Sequence, residues 1–344
     1  MNAKQQFQQT YPKAFFLERD LPSVEQYLRQ QGWLLEKERV KILEKPGEGN
    51  MNFVLRVITS WNRSFILKQA RPWVEKFPQF EAPVERVIVE ATFFKLLQDI
   101  PNLKSFTPTF LDYDANSFIL ATEDLGSGAD YSFLYKDGQK LSPDEVRGLV
   151  QYLSALHQIP PPANFPENKE MRLLNQEHIF NFPFLEENGF NLEDIQEGLQ
   201  EAAIPYKKDV VLKEQIAICS KLYLQQGKHL LHGDFYPGSW LKVADGLKII
   251  DPEFGFVGPA EFDLGVFVAH LVMAQQEEEL IEKILDIYEK SVSFDKSLLF
   301  RFAGIEILRR LIGIAQLPLS LSLLEKKTLL KQAVNWIKTG NSAG

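Results

Sequence analysis

Around Glu123-Asp124-Leu125-Gly126 the apolar period of the chain changes, and this change limits the fold more than any other feature. Before it, short segments rich in branched and aromatic residues run from Val40 to Glu44, Asn52 to Thr59 and Ser64 to Ala70. Gly47-Glu48-Gly49-Asn50 joins the first two and Ser60-Trp61-Asn62-Arg63 the others, which reads as an antiparallel meander. Ser23 with Gln26 marks a capping box for a short helix ending near Gly32. A helical pattern covers Val84 to Gln98, and two further strands are expected at Pro108 to Tyr113 and Ser117 to Thr122.

Beyond Gly126 the apolar residues recur at helical spacing. Helices are expected at 143–157, 192–202, 210–226, 261–274, 278–289, 296–314 and 324–338, with short strands only near 229–231, 240–243 and 247–250. The stretch from Pro160 to Glu170 reads as a loop. The pattern predicts an α+β chain of two lobes. Residues 1–122 form a sheet-plus-helix lobe, 123–128 a hinge, and 129–344 a mainly helical lobe.

Composition narrows the partners. A formal charge of -8 argues against binding nucleic acid or an anionic membrane, both of which call for a basic face. The single cysteine, Cys219, lies in an apolar-patterned segment, forms no intrachain disulfide and reads as core. Residues 1–10 carry no apolar core of a secretion signal, and the most apolar stretch, Leu264 to Ala274, is too short to span a bilayer. The expectation is a soluble, cytoplasmic protein.

The segments that carry chemistry are His232-Gly233-Asp234-Phe235-Tyr236-Pro237-Gly238-Ser239 and Ile250-Asp251-Pro252-Glu253. Each sets an acidic residue at the end of a short strand. Phosphoryl transfer needs one carboxylate to take the proton of a hydroxyl nucleophile and others to hold the metal that neutralises phosphate oxygens. Asp234 suits the first role and Asp251 the second. Glu253 follows two residues later, and in extended chain it would point the same way as Asp251. Lys68 on a strand, with Glu90 on the next helix, fits a contact to nucleotide phosphates. The Gly47 turn offers backbone amides to phosphate, though a plain hairpin turn is the commoner use of such a sequence. His157, His178, His229 and His270 lack metal-ligand spacing and read as structural; His232 reads as an organiser of the Asp234 turn.

Taken together, these motifs resemble the aminoglycoside phosphotransferase and choline kinase superfamily, and more narrowly the 5-methylthioribose kinases. The resemblance rests on Gly47-Glu48-Gly49-Asn50-Met51-Asn52, Ile66-Leu67-Lys68-Gln69-Ala70, Glu123-Asp124-Leu125, His232 through Ser239, Ile250 to Phe254, Gly258-Pro259 and Phe262-Asp263-Leu264-Gly265. It implies a protein-kinase-like two-lobed fold and an ATP-dependent, magnesium-dependent kinase with a small-molecule hydroxyl acceptor, 5-methylthioribose or a related sugar. Nucleotide binding then falls to Gly47, Gly49, Asn50, Asn52, Lys68 and Glu90, with backbone groups of Glu123 and Leu125 on adenine. Asp251 and Glu253 hold the metal, Asp234 is the base, and Arg309-Arg310 contact the sugar. A homodimer is also implied.

Ser239 stands where most of the superfamily has a metal-ligating asparagine, a departure shared with the 5-methylthioribose kinases. Asp263 is expected to cap its helix. An aminoglycoside or other amino-alcohol kinase is the alternative within this chemistry, and a catalytically silent nucleotide-binding pseudokinase the alternative outside it.

Overall fold

The structure is a computed structural model that describes residues 3–47 and 51–342. The chain divides into two compact units, Met1–Ser127 with Pro252–Phe254, and Gly128–Asp251 with Gly255–Gly344. The switch in period at residue 126 marks the division. The expected two-part α+β architecture is observed, with one difference: three residues from far down the chain belong to the first unit.

In the first unit, β1 (Val40–Glu44), β2 (Phe53–Thr59), β3 (Ser64–Gln69), β6 (Phe110–Asp114) and β7 (Ile119–Glu123) form an antiparallel sheet in the order β1-β2-β3-β7-β6. The period-two alternation sorts side chains between its faces. Leu55, Val57, Phe65 and Leu67 enter a core with Leu17 and with Val24, Tyr27 and Leu28 of α2 (Leu21–Gln30). The opposite face brings Leu120 against Val87, Ala91 and Phe94 of α3 (Arg86–Gln98). Lys68 is the register partner of Leu120 and lies one residue from inward-facing Leu67, so strand parity turns it to the α3 side.

α1 (Ala3–Thr10) buries Phe7, and α4 (Pro101–Lys104) follows α3. The N-cap of α2 is Asp20, whose carboxylate accepts the Ser23 N–H, so the expected Ser23 capping box is replaced by a cap three residues earlier. A hairpin of β4 (Trp73–Val74) and β5 (Phe77–Glu81) precedes α3 and was not expected. Within the expected Gly47 turn, Glu48, Gly49 and Asn50 lie outside the described residues.

The second unit is helical around a few short strands. These are β8 (Ala129–Asp130), β9 (His229–Leu231), β10 (Trp240–Val243), β11 (Gly246–Ile249) and β12 (Phe256–Gly258), with β9 paired to β12 and β10 placed between β8 and β11. The helices are α5 (Pro143–His157), α6 (Lys169–Gln176), α7 (Leu199–Lys208), α8 (Val210–Leu224), α9 (Ala260–Met273), α10 (Glu278–Glu289), α11 (Lys296–Ile312) and α12 (Leu323–Thr339). Ser142 and Glu145 form a capping box at α5, as Ser322 and Glu325 do at α12. α9 is apolar nearly all round and is buried accordingly.

The helix expected at 192–202 is instead a 3₁₀ turn, Leu192–Asp194, followed by α7. Gly198 at φ +78 breaks the run between them, a conformation that glycine adopts without steric cost. No helix among the described residues is long and apolar enough to cross a membrane.

Candidate active site

Two clusters of charged side chains form, one in each unit. In the first, α3 places Arg86 and Glu90 one turn apart on the same face. Glu90 Oε2 lies 2.7 Å from Lys68 Nζ, and both residues are buried. Glu253 enters the same cluster: its Oε1 is 3.9 Å from Lys68 Nζ, and its Oε2 is 3.1 Å from Arg86 Nε. Asn52 Nδ2 donates to Glu253 Oε2 at 2.8 Å, while Asn52 Oδ1 accepts from Arg86 Nε at 3.0 Å.

Arg86 is fully buried and also donates to the carbonyls of Arg71, Pro83 and Met51. Burial pulls its guanidinium below the usual range, and Glu253 and Glu90 oppose that pull. Arg86 was not singled out in the sequence. The signal it carried was its i, i+4 spacing to Glu90, hidden among the other charges of that segment.

The geometry expected for the acidic pair is not found. Asp251 has a left-handed backbone at φ +62, and Pro252–Phe254 is a 3₁₀ turn rather than extended chain. Period-two alignment of Asp251 with Glu253 therefore does not apply. Both residues are carboxylates, the donor type that a hard divalent cation takes.

Where the apolar period changes, Asp124 accepts from Arg56, Ser64 and the Gly126 N–H. Burial alone would raise its carboxyl, but these hydrogen bonds hold it below the ordinary range. The Glu123 N–H is engaged with the Thr109 carbonyl at 2.9 Å, and its carboxylate accepts from the Thr109 backbone and hydroxyl. Of the Glu123 backbone groups expected to meet adenine, the N–H is thus already engaged.

In the second unit, the His232-Gly233-Asp234 turn leaves β9 with Gly233 at φ +83. Asp263, fully buried, holds it: Oδ2 accepts the His232 N–H at 2.6 Å and Oδ1 accepts the Gly233 N–H at 2.9 Å. This corrects the expected cap. The N-cap of α9 is Pro259, and Asp263 is far enough into the helix to face inward.

His157 Nε2 lies 3.3 Å from the same Asp263 oxygen, and its Nδ1 meets the Tyr288 hydroxyl at 2.5 Å. His232 Nδ1 accepts from the Asp234 N–H, so its Nε2 carries the proton donated to the Ile250 carbonyl at 3.0 Å. Ser239 Oγ donates to the Asp234 carbonyl at 2.8 Å, and the Ser239 carbonyl accepts from Ile250 N at 2.9 Å. His232 and Ser239 therefore fix the backbone on either side of Asp234 and tie it to the strand that leads into Asp251.

The Asp234 side chain is 22% exposed, with Oδ1 3.6 Å from Arg310 Nη2. Burial pushes its carboxyl up to about 6, against the pull of Arg310 and Arg309, and Asp251 adds to the rise. A carboxylate poised there is a better proton acceptor at neutral pH than an ordinary one.

The Arg309-Arg310 pair is not a solvated helix face. The Arg310 guanidinium lies 4.9 Å from the centre of the Tyr236 ring, and its Nε donates to Glu306 Oε1 at 2.6 Å. Arg309 Nη1 donates to Glu306 Oε2 at 3.0 Å, whereas its buried Nε has no partner among the described residues. Burial opposes the ionisation of Glu306, but Arg309 and Arg310 hold its carboxyl well below the usual range. Neither Glu306 nor Tyr236 was anticipated.

A model of the phosphotransferase enzyme family matches residues 43–297. The methylthioribose kinase of Exiguobacterium sibiricum is 26% identical over 329 residues, covering 79% of each chain. That of Bacillus cereus is 25% identical over 295 residues, covering 78% of this chain and 70% of its own. In three dimensions, LicA in complex with AMP is 15% identical with a TM-score of 0.52, covering 92% of this chain and 98% of that one. A microcompartment-associated aminopropanol kinase is 16% identical with a TM-score of 0.50, covering 90% and 95%.

These structures share the fold. The family match runs from β1 to the start of α11 and takes in Lys68, Glu90, Asp234, Asp251 and Glu253; on that extent, the chain belongs to the phosphotransferase enzyme family.

Proposed function

We propose that the protein is a kinase that transfers the γ-phosphate of ATP to a hydroxyl of a neutral sugar-like acceptor, 5-methylthioribose or a related sugar. The observation that carries this reading is Asp234, a carboxylate raised to about 6 in a turn braced by Asp263, with Arg310 beside it. In that setting it serves as the base that accepts the acceptor hydroxyl proton.

Lys68, held by Glu90, is proposed to contact the α- and β-phosphates. The Gly47, Gly49, Asn50 and Asn52 segment is proposed to cover the phosphates with backbone amides, and the Glu123 carbonyl and the Leu125 N–H to meet adenine. Asp251 and Glu253 are proposed to hold magnesium. Among the described residues no three His, Cys, Asp or Glu side chains gather into a ready-made metal cage. Magnesium takes one or two carboxylates and completes its shell with phosphate and water. When bound, magnesium supplies neutralisation of charge on the phosphate oxygens.

Arg309 and Arg310 support a neutral acceptor. A cationic amino-alcohol would approach Asp234 against the two guanidinium charges that already pull on its carboxylate, whereas a neutral sugar meets no such repulsion. The relatives in Exiguobacterium and Bacillus carry the name methylthioribose kinase, which agrees with this choice.

The test is ADP release by the purified protein with magnesium and ATP against neutral sugars, 5-methylthioribose included, and against aminoglycosides and amino-alcohols. Turnover with the neutral sugars is expected, and a chelator should abolish it. Turnover confined to the amino acceptors would overturn the acceptor class. ATP binding without transfer to any acceptor would overturn the enzyme reading in favour of a silent nucleotide-binding module.

A further inference from the structure

Behind the twin arginines lies a buried polar chain that the transfer reaction leaves without a task. Glu306, His270 and Tyr135 are all almost fully buried. Glu306 Oε1 accepts from Arg310 Nε at 2.6 Å and faces His270 Nε2 at 3.1 Å, while Oε2 accepts from Arg309 Nη1 at 3.0 Å. His270 Nδ1 meets the Tyr135 hydroxyl at 2.6 Å.

Proton bookkeeping fixes the direction of every bond. A carboxylate only accepts, so His270 Nε2 must donate to Glu306. Burial holds the imidazole down to about 4, so it is neutral and carries one proton. Nδ1 is then the acceptor, and the Tyr135 hydroxyl is its donor. The chain reads Tyr135 to His270 to Glu306, with both arginines ending on the one carboxylate.

We propose that Glu306 is a positioning residue that divides the work of the two arginines, fixing Arg310 against Asp234 and Tyr236 through one oxygen and Arg309 for the acceptor through the other, with His270 and Tyr135 locking the carboxylate. The proposal rests on the kinase reading above and adds to it a division of roles within the arginine pair. Both guanidinium groups come from adjacent positions on one helix, where side chains diverge by roughly 100°. A single carboxylate bonded to both is what draws them to a common purpose.

Glu306→Gln is the discriminating variant. A glutamine that keeps its oxygen on Arg310 and His270 must turn its NH₂ toward Arg309, donor against donor, and release that side chain alone. The acceptor KM should rise about 10- to 100-fold, the range of a lost charge-assisted hydrogen bond, with a far smaller change in kcat and an unchanged KM for ATP. Tyr135→Phe removes the hydroxyl at the opposite end of the chain from Glu306. It should raise the acceptor KM several-fold in the same direction, and it serves where Glu306→Gln yields too little folded protein. A purely structural role would lower thermal stability and kcat while leaving both KM values alone, and that result would overturn the proposal.

The nitrogen shifts of His270 at neutral pH give a readout that needs no turnover. A neutral ring protonated at Nε2 is expected; a ring protonated at Nδ1, or a charged one, would sink the positioning role even in an active enzyme. Absence of turnover in the wild type would instead sink the kinase reading, with the His270 tautomer still deciding this one.

Discussion

Lys68 and Glu90 meet as an ion pair at 2.7 Å, with side-chain exposures of only 11% and 4%. Glutamate fixes the ammonium in one direction, which a flexible four-carbon stem does not do by itself. Glu90→Gln should therefore raise the KM for ATP by about tenfold, the scale of a lost charge-assisted bond, and leave the acceptor KM unchanged. Steady-state kinetics with each substrate varied in turn checks this.

Asp234→Asn should lower kcat by roughly 10²- to 10⁴-fold with ATP affinity nearly intact, the size expected for a lost general base. The base acts ionised, so the wild-type kcat/KM should rise with pH through about 6 and level off above it. Arg310 draws the carboxyl down, so Arg310→Met should move that rise to higher pH. A pH profile of both proteins reads the difference.

The same carboxyl shapes stability with the opposite sign. Its folded value of about 6 exceeds its ordinary 3.8, so folding favours the protonated form. That contribution is fully present below the ordinary value and is lost as pH rises through about 6. Asp234→Asn should thus gain on the wild type progressively between those limits, reaching about 3 kcal/mol at neutral pH. Denaturant unfolding across that window measures it.

Arg86→Met should destabilise the protein by about 3–5 kcal/mol, because it leaves Glu253 buried with one cation fewer. Adding Glu253→Gln should recover part of the loss. If the two changes simply add in chemical denaturation, the pairing has no energetic weight.

Asp263→Asn keeps one acceptor for the His232 and Gly233 amides and turns a donor on the other. A thermal midpoint lowered by several degrees is expected, together with a fall in kcat of about tenfold or more and little change in either KM. An undisturbed kcat would show that the Asp234 turn holds itself without this support.

What the sequence made legible was local. Strand parity alone sends Lys68 to the side opposite Leu67, and Gly233 marks a turn that presents Asp234. What it hid depends on partners far apart in the chain. Glu306 looks like one more charge on α11 until His270 and Tyr135 are seen behind it, the latter pair 135 positions apart.

Asp263 was expected as a cap because acids favour helix starts. Its distinction from a cap is that its carboxylate accepts from the His232 and Gly233 amides, 31 and 30 positions earlier in the chain. The hairpin at 73–81 was not expected; its strands are two and five residues long, and the longer carries Pro78. The residues Glu48, Gly49 and Asn50, expected over the phosphates, lie outside the described residues.

Pro252–Phe254 completes the first unit although the chain has by then passed through much of the second. A nascent chain emerging from the ribosome therefore cannot finish its amino-terminal half first, since Arg86 waits for a carboxylate made more than 160 residues later. A fragment ending near residue 127 should be a poor folder, and the two halves should mature together rather than in turn.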